Sequence, residues 1–325
     1  MSTRHTRRAG ATAAATALAA LSLTACGGGD SDKPSDKAGS GATHTVRTAM
    51  GEVTVKDDPK RVVVLDTDAL DSAITLGITP VGATTSVAGA PFSTYLPPDT
   101  LKDIKPVGLI AEPNLEAIAA LEPDLILSSK VRDEKNYRPL SAIAPTVFTE
   151  TTGPNWRANF TLHAAALGRA AEAKTIAAAY DTRVTSLTTA LGGPAAVKET
   201  TFGFVRFVEG ADTRLYLNDT FVGSILSDLG VGRPANQDKT GFSLDVSPEK
   251  IDQADADVIF YSTYGDAKKA KETTVLGGPL WKNLTAAKRN QTFKVDDNLW
   301  MLGIGYTGAG KVLDEIDQTY GGTTG

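Results

Sequence analysis

Leu115-Glu116-Ala117-Ile118, followed by Pro123-Asp124-Leu125-Ile126, has a counterpart 133 positions later. That counterpart is Pro248-Glu249-Lys250-Ile251, followed by Ala256-Asp257-Val258-Ile259. The acid, the apolar residue two on, the aspartate eight on and the apolar pair after it keep register. Each copy reads as a helix that opens with a carboxylate and then leads into a buried strand. One such unit is ordinary in an α/β chain. Two at matching positions predict two similar lobes, each presenting one acid at an equivalent place. A paired acidic surface suits a partner with a paired basic surface.

Outward from these units, strand and helix patterns alternate. Arg61-Val62-Val63-Val64-Leu65 is a β-branched run before Asp66, the pattern of a buried strand. A short helix over Ala69 to Leu76 stops at Gly77, Asn114 caps the helix before Leu125, and Leu140 to Ile143 precedes the strand Thr146-Val147-Phe148. After a helix from Trp156 to Leu167, apolar residues at Ile176, Tyr180, Val184, Leu187 and Leu191 are spaced by three and four. That spacing predicts one long helix from about Ala170 to Leu191, stopped by Gly192-Gly193-Pro194. A second α/β series begins near Thr201 and includes a helix over Phe221 to Leu229, a Ser247-capped helix, a strand over Val258 to Tyr261 and a closing helix over Ala309 to Tyr320. The expected fold is therefore α/β: two Rossmann-like lobes, mainly parallel in sheet, joined by a single long α-helix, with a ligand cleft between them. A helical link implies a stiff hinge and small motion.

The 325 residues suit two domains, each large enough for its own core. Arg4, Arg7 and Arg8 precede an apolar run from Ala11 to Leu23 that is short for a membrane span, the form of an export signal. Leu23-Thr24-Ala25-Cys26 then reads as a lipobox, leaving Cys26 as a lipidated first residue outside the cytoplasmic membrane. Cys26 is the single cysteine, so neither an internal disulfide nor a thiolate metal site is expected. Gly27 to Ala42 is nearly devoid of apolar residues and reads as a tether. The expected organisation is signal 1–25, tether 26–43, N-terminal lobe 44–168, linking helix 169–193 and C-terminal lobe 194–325. Residues 1–25 hold three basic and no acidic residues, so the remainder has 30 basic against 38 acidic residues, a net charge of −8. That excludes nucleic acid and anionic membrane surfaces as charge-driven partners. Membrane attachment would come from the lipid.

Gly303-Ile304-Gly305-Tyr306-Thr307-Gly308 matches a dinucleotide glycine pattern, and Gly305 to Lys311 nearly matches a phosphate loop. Both lack their context: no βαβ unit follows, and Val312 stands where a phosphate loop needs Ser or Thr. The glycines are read instead as allowing close approach to a helix N-terminus, a loop that can still face a ligand. No Gly-x-Ser-x-Gly elbow occurs, and only His44 and His163 lie beyond the signal, so neither nucleophilic catalysis nor a zinc or manganese site is supported. Glu116 and Glu249 could each simply offset a helix dipole. Their repetition balances that reading against a docking role. Arg206 lies inside the apolar run Phe202 to Val208, where a charge must meet an acceptor: either a structural carboxylate or an anionic ligand oxygen. Arg132 follows Ser128-Ser129-Lys130 just past a strand's carboxyl end, where α/β clefts bind ligands. Trp300, in the loop before the closing helix, and Tyr137, Tyr216 and Tyr264, near strand or loop ends, complete the candidates.

Together these residues resemble the substrate-binding lipoproteins of iron-siderophore ABC importers, whose relatives bind cobalamin or haem. The resemblance runs from Val46 to Tyr320. It is most specific at Arg61 to Leu65, Val107 to Glu116, Pro123 to Ile126 and Ala286 to Trp300. It implies that Glu116 and Glu249 dock on arginines of two permease subunits. It further implies that the ligand lies in a shallow cleft, with arginine and aromatic groups (here Arg206, Arg132 and Trp300) on the oxygens of a ferric chelate. The chelator, not the protein, would hold the iron, and no cofactor is expected. Some hydroxamate binders carry an arginine just before the Glu-Pro-Asn-Leu-Glu segment, where this chain has Ile110. A tris-catecholate complex would want several converging basic residues, whereas a tris-hydroxamate complex needs one or two arginines and an apolar lining. The expectation is a monomeric receptor for a ferrioxamine-like ferric hydroxamate. Cobalamin or haem in the same fold is the nearest alternative, haem needing an axial Tyr or His. An exported hydrolase, which would need a nucleophile–base pair, and an adhesion module are remoter readings.

Overall fold

The computed structural model describes residues 41–86, 89 and 92–323. The signal, Cys26 and all but the last residues of the expected tether lie outside them. A hairpin of β1 (Thr43–Thr48) and β2 (Gly51–Lys56) opens the described chain. The first lobe holds β3 (Val62–Val64), β4 (Gly82–Thr85), β5 (Lys105–Leu109), β6 (Glu112–Pro113), β7 (Leu125–Ser129) and β8 (Thr146–Thr149). They lie in the order β6-β5-β4-β3-β7-β8, parallel except at β6. The second lobe holds β9 (Phe202–Val208), β10 (Thr213–Tyr216), β11 (Ser243–Val246), β12 (Val258–Tyr264) and β13 (Thr292–Lys294), ordered β11-β10-β9-β12-β13. Here β12 runs parallel to β9 and β13, while β10 and β11 are antiparallel.

The sequence repeat has a structural meaning at its aspartate. Asp124, just before β7, accepts hydrogen bonds from the backbone N–H groups of Lys60 and Arg61 at 3.1 and 2.8 Å, at the amino end of the neighbouring β3. Asp257, just before β12, accepts from the Thr201 N–H at 3.0 Å and its hydroxyl at 2.7 Å, at the amino end of the neighbouring β9. Each clamps a parallel strand pair into register. Burial works against both carboxylates, but these donors hold their pKa below the usual aspartate value.

The linking helix is Ala170–Ala190, 21 residues. Gly192, at φ 100°, turns the chain after it, but Gly193 and Pro194 start a further helix, Gly193–Glu199, because proline suits a first helical turn. The segment after Ser247 is a 3₁₀ helix, Pro248–Ala254, broken at Lys250, and the Ser247 side chain does not cap it. The region before the closing helix is also helical. Asp296 accepts from the Leu299 N–H and caps Asp297–Leu302, and the closing helix begins earlier than expected, as Tyr306–Thr319.

One hydrophobic cluster runs through both lobes, from Val62, Val64 and Leu70 to Phe204, Trp300 and Val312. Its middle is an aromatic knot. Tyr306 lies edge-on to Trp156, Phe160 and Tyr180 with centroids at 4.7, 4.6 and 5.5 Å. Trp156 also meets Phe221 and donates from its indole nitrogen to the Ser224 hydroxyl at 2.8 Å. The linking helix supplies Tyr180, and the closing helix supplies Tyr306. Such pairs add roughly 0.5–1.5 kcal/mol each beyond the area they bury, so the hinge side is welded rather than merely tethered.

Candidate functional site

The carboxyl end of β3 leads into the helix Thr67–Thr75, and that of β13 leads through Asp297–Leu302 into the closing helix. These helices meet. Asp71 accepts from the Thr307 N–H at 3.2 Å and the Gly308 N–H at 3.0 Å, and the Thr75 and Thr307 hydroxyls lie 2.6 Å apart. The carboxyl edges of the two sheets therefore face each other. A second bridge runs from Thr94, whose N–H donates to Asn298 Oδ1 at 2.9 Å, while the adjacent Tyr95 hydroxyl donates to Asp71 at 3.0 Å. The glycine pattern is explained by this junction. A Cβ at Gly305 would collide with the Asp71 carboxylate, and one at Gly308 with the Gly303 carbonyl. Asp71 takes the place an anion would occupy at the helix N-terminus.

Side-chain alternation builds the edges. On β9, Phe202 and Phe204 face the shared core and Arg206 continues the same face; on β12, Val258 and Phe260 are followed by Ser262 and Tyr264. On the first lobe, Val62 and Val64 are followed by Asp66, Leu125 and Leu127 by Ser129, and Val147 by Thr149. Each face turns from apolar to polar as it reaches the cleft.

In the second lobe Arg206 donates to both oxygens of Asp297, at 2.7 and 2.6 Å, and to the Tyr216 hydroxyl at 3.3 Å. Its guanidinium lies 5.0 Å from the ring of Tyr264, and Ser262 donates to Asp297 at 2.7 Å. Arg214 is the direct cross-strand partner of Arg206. Two like charges opposite one another are unfavourable unless compensated, and here Asp297 and Asp245 compensate them. Phe242 lies 6.0 Å from the Arg214 guanidinium. In the first lobe the Nε of Arg132 is 3.5 Å from buried Asp66, which accepts from the Ser129 hydroxyl at 2.8 Å and the Thr67 N–H at 2.8 Å. Burial and then the neighbouring Asp68 push Asp66 up to about 6. Beside this pair, a cavity of about 520 Å³ is lined by Lys130, Val131, Arg132, Lys135, Glu150 and Thr151, among others. Lys130 pairs with Glu150 at 3.0 Å. Val131, Phe242 and Tyr264 are the most exposed large hydrophobic side chains among the described residues, at 58, 54 and 45%. Tyr264 ends β12 and Val131 follows β7, so these two sit at carboxyl strand ends on this rim, the disposition of an apolar ligand surface, whereas Phe242 precedes β11 at the other end of the second sheet.

Against the expected candidates, Arg132 and Tyr264 stand at the rim and Arg206 stands at its edge with its fork engaged by Asp297. Three expectations need correction. Trp300 is fully buried, because its capped helix turns it inward. It stacks on Phe204 and Phe260 at 5.5 and 4.8 Å and donates to Glu315 at 2.6 Å. Tyr137 packs edge-on against Phe148 at 5.1 Å in a separate core on the other face of the first sheet. Tyr216 is fully buried behind Arg206. His163 is buried against the Ser72 hydroxyl, with burial pushing its pKa down to about 4, a structural setting. His44 lies in β1, at the start of the expected N-terminal lobe, with its ring at Asp57 and the Ala165 carbonyl. Glu116 and Glu249 are exposed in the first turns of the two repeated helical segments. Sequence reasoning missed Asp66, Arg214, Val131 and Asp297. The alternation of β9, which marks Arg206 as the continuation of a core face, was the available signal for the edge. Asp297 has no such signal.

A family profile described as Periplasmic binding protein matches residues 62–299. The chain is 42% identical over 317 residues to the Probable siderophore-binding lipoprotein YfiY of Bacillus subtilis (strain 168), covering 93% of this chain and 95% of that protein. It is 33% identical over 273 residues to the Achromobactin-binding periplasmic protein of Dickeya dadantii (strain 3937), covering 81% and 87%. Among solved structures, Staphylococcus aureus SirA complexed with staphyloferrin B superposes with a TM-score of 0.76 at 36% identity, covering 86% of this chain and 98% of that one.

Proposed function

The chain belongs to the periplasmic binding protein family, and from that premise we propose that it is the substrate-binding lipoprotein of an ABC importer, capturing a ferric siderophore between its lobes. The observation that carries this reading is the pair of facing sheet edges, where core faces end in Arg206, Ser262 and Tyr264 on one side and Asp66, Ser129 and Arg132 on the other. Exposed Val131 and Tyr264 supply an apolar lining. The relatives named for siderophores cover nearly the whole chain, so the likeness includes both lobes and the cleft between them. Glu116 and Glu249 would engage the permease. Cys26 would hold the protein at the membrane by its lipid. Among the described residues no helix is long and apolar enough to cross a membrane.

Within that class we favour a weakly charged, hydroxamate-type chelate. Four cations at the rim stand against an acid, Lys130 with Glu150, Arg132 with Asp66, Arg206 with Asp297 and Arg214 with Asp245, and a fifth, Lys135, shares the lining of the cavity with Glu134. A strongly anionic chelate would meet little net positive charge there. The second reading is a citrate-type chelate. The Fe(3+)-citrate-binding protein YfmC of Bacillus subtilis (strain 168), 31% identical over 287 residues, favours it. Tryptophan quenching of the purified protein by ferrioxamine B, ferric citrate, haem and cobalamin tests both. Saturation by ferrioxamine B alone supports the first reading, and by ferric citrate alone the second. Binding of haem or cobalamin alone, or of none, removes the siderophore assignment.

A further inference from the structure

We propose that Asp66 is a positioning residue: a buried carboxylate that fixes the Arg132 side chain so that its outer guanidinium nitrogens face the captured chelate. The proposal rests on the reading that this cleft takes a ferric chelate. Asp66 is 2% exposed, whereas the Arg132 side chain is 40% exposed. Asp66 is itself immobilised, by the Thr67 N–H on one oxygen and the Ser129 hydroxyl on the other. Its second oxygen meets Arg132 at Nε, the inner nitrogen of the guanidinium, at 3.5 Å. Contact at that nitrogen leaves donors on the terminal nitrogens for the cavity that Arg132 lines together with Val131 and Thr151. An arginine held this way loses less rotamer entropy when it binds an oxygen ligand. The second lobe offers a parallel: Arg206 is held by Asp297, with Ser262 donating to the acid as Ser129 does to Asp66.

Charged and titratable groups around Asp66 come from every element packed on it. Asp68 lies on its own helix, Arg132 and Asp133 on the helix Lys130–Asp133, and His163 on the helix Trp156–Ala166. Asp133 is held by the Ser128 and Asn136 side chains, and burial keeps His163 neutral near pH 6. Burial raises Asp68 to about 6 as well, but Asp68 accepts from the Asn159 amide, so Asp66 is the acid in direct contact with Arg132 that changes in mildly acid solution.

The test is a double-mutant cycle on the purified protein, titrated with ferrioxamine B and with ferric citrate at pH 7.5 and 5.5. Arg132→Ala should weaken the chelate that binds about ten- to a hundredfold. Asp66→Asn should weaken it about three- to tenfold at pH 7.5, and by nothing further in the Arg132→Ala background. Wild-type affinity should fall between pH 7.5 and 5.5, and Asp66→Asn should fall less. Ser129→Ala, a milder change that frees one oxygen of Asp66, should give a smaller loss that also vanishes without Arg132. Additive losses, or an unchanged affinity in Arg132→Ala, overturn the proposal. A ligand-free readout separates it from the function itself: the Arg132 Nε–H should be ordered by NMR relaxation in wild type and averaged in Asp66→Asn and Ser129→Ala. Equal mobility in all three overturns the positioning role. Absence of quenching by either chelate, with Arg132 ordered, overturns the chelate reading and supports the anchoring alone.

Discussion

Replacing Asp71 with alanine removes the acid on which the two lobes meet. Four donors lose their acceptor: the Thr307 N–H at 3.2 Å, the Gly308 N–H at 3.0 Å, the Thr75 hydroxyl at 3.0 Å and the Tyr95 hydroxyl at 3.0 Å. The hydroxyls can turn, and Thr75 already has the Thr307 hydroxyl beside it. The two backbone groups cannot turn. A buried donor left unpaired costs about 1–3 kcal/mol, so the pair costs about 2–6 kcal/mol. Against this stands the charge. Burial pushes Asp71 from 3.8 up to about 6, outweighing the donors that pull it down. At 1.36 kcal/mol per unit, alanine relieves about 3 kcal/mol of that burden at neutral pH. The net change should lie between a gain of about 1 and a loss of about 3 kcal/mol at pH 7.5. A group whose folded pKa is raised gives stability that is fully present below its unfolded value and lost as pH rises through the folded value. Asp71 therefore stabilises most in acid, and the penalty of alanine should be about 1–2 kcal/mol larger at pH 5.0 than at pH 7.5, since about one pKa unit separates 5.0 from 6. Urea unfolding of both proteins at the two pH values measures this. An equal loss at both, or a larger loss at pH 7.5, would mean that the donors rather than burial govern the carboxyl, and the reasoning would fail.

Four further outcomes are expected. Glu116→Arg combined with Glu249→Arg should leave chelate affinity unchanged and abolish cellular uptake; a lost affinity would refute docking by these acids. Trp300→Ala should cost about 3–5 kcal/mol in urea unfolding, as for a buried aromatic, whereas weakened binding with intact stability would return it to the ligand surface. Gly308→Ala forces a Cβ against the Gly303 carbonyl and should cost about 1–3 kcal/mol or more; a neutral effect would show that the junction is loose. Arg206→Ala should weaken chelate binding by about 1.5–3 kcal/mol if the ligand shares the guanidinium with Asp297. Lower stability with an unchanged Kd would leave Arg206 to Asp297 alone.

The two lobes, the linking helix and the paired glutamates were readable in sequence because periodicity and register carry them. Phe202 and Phe204 alternate with Gly203 and Val205 whatever their partners are. Trp300 was misplaced because a loop and a one-turn capped helix look alike without the Asp296 hydrogen bond that turns the ring inward. Tyr137 was misplaced because nothing local says which face of a sheet a following helix covers. The cause of the glycine pattern, Asp71, lies 236 positions from the Thr307 amide, whose hydrogen bond it accepts. Contacts at such separations leave no local trace.

The repeat also bears on the ligand. Asp66 lies four positions after Val62, and Arg206 four after Phe202, on strands that hold equivalent places beside β7 and β12. Ser129 and Ser262 are likewise four positions after Leu125 and Val258. One lobe thus puts an acid at the strand end and recruits an arginine from the turn beyond β7. The other puts an arginine there and recruits an acid from the helix after β13. Each lobe offers the cleft a charged pair rather than a bare charge. A ferric chelate with little net charge can place its oxygens on the arginine halves without facing either an uncompensated cation or an exposed acid. A highly anionic one would have to compete with Asp66 and Asp297 for arginines that these acids already hold. That competition is the physical reason the balanced cleft favours the weakly charged ligand.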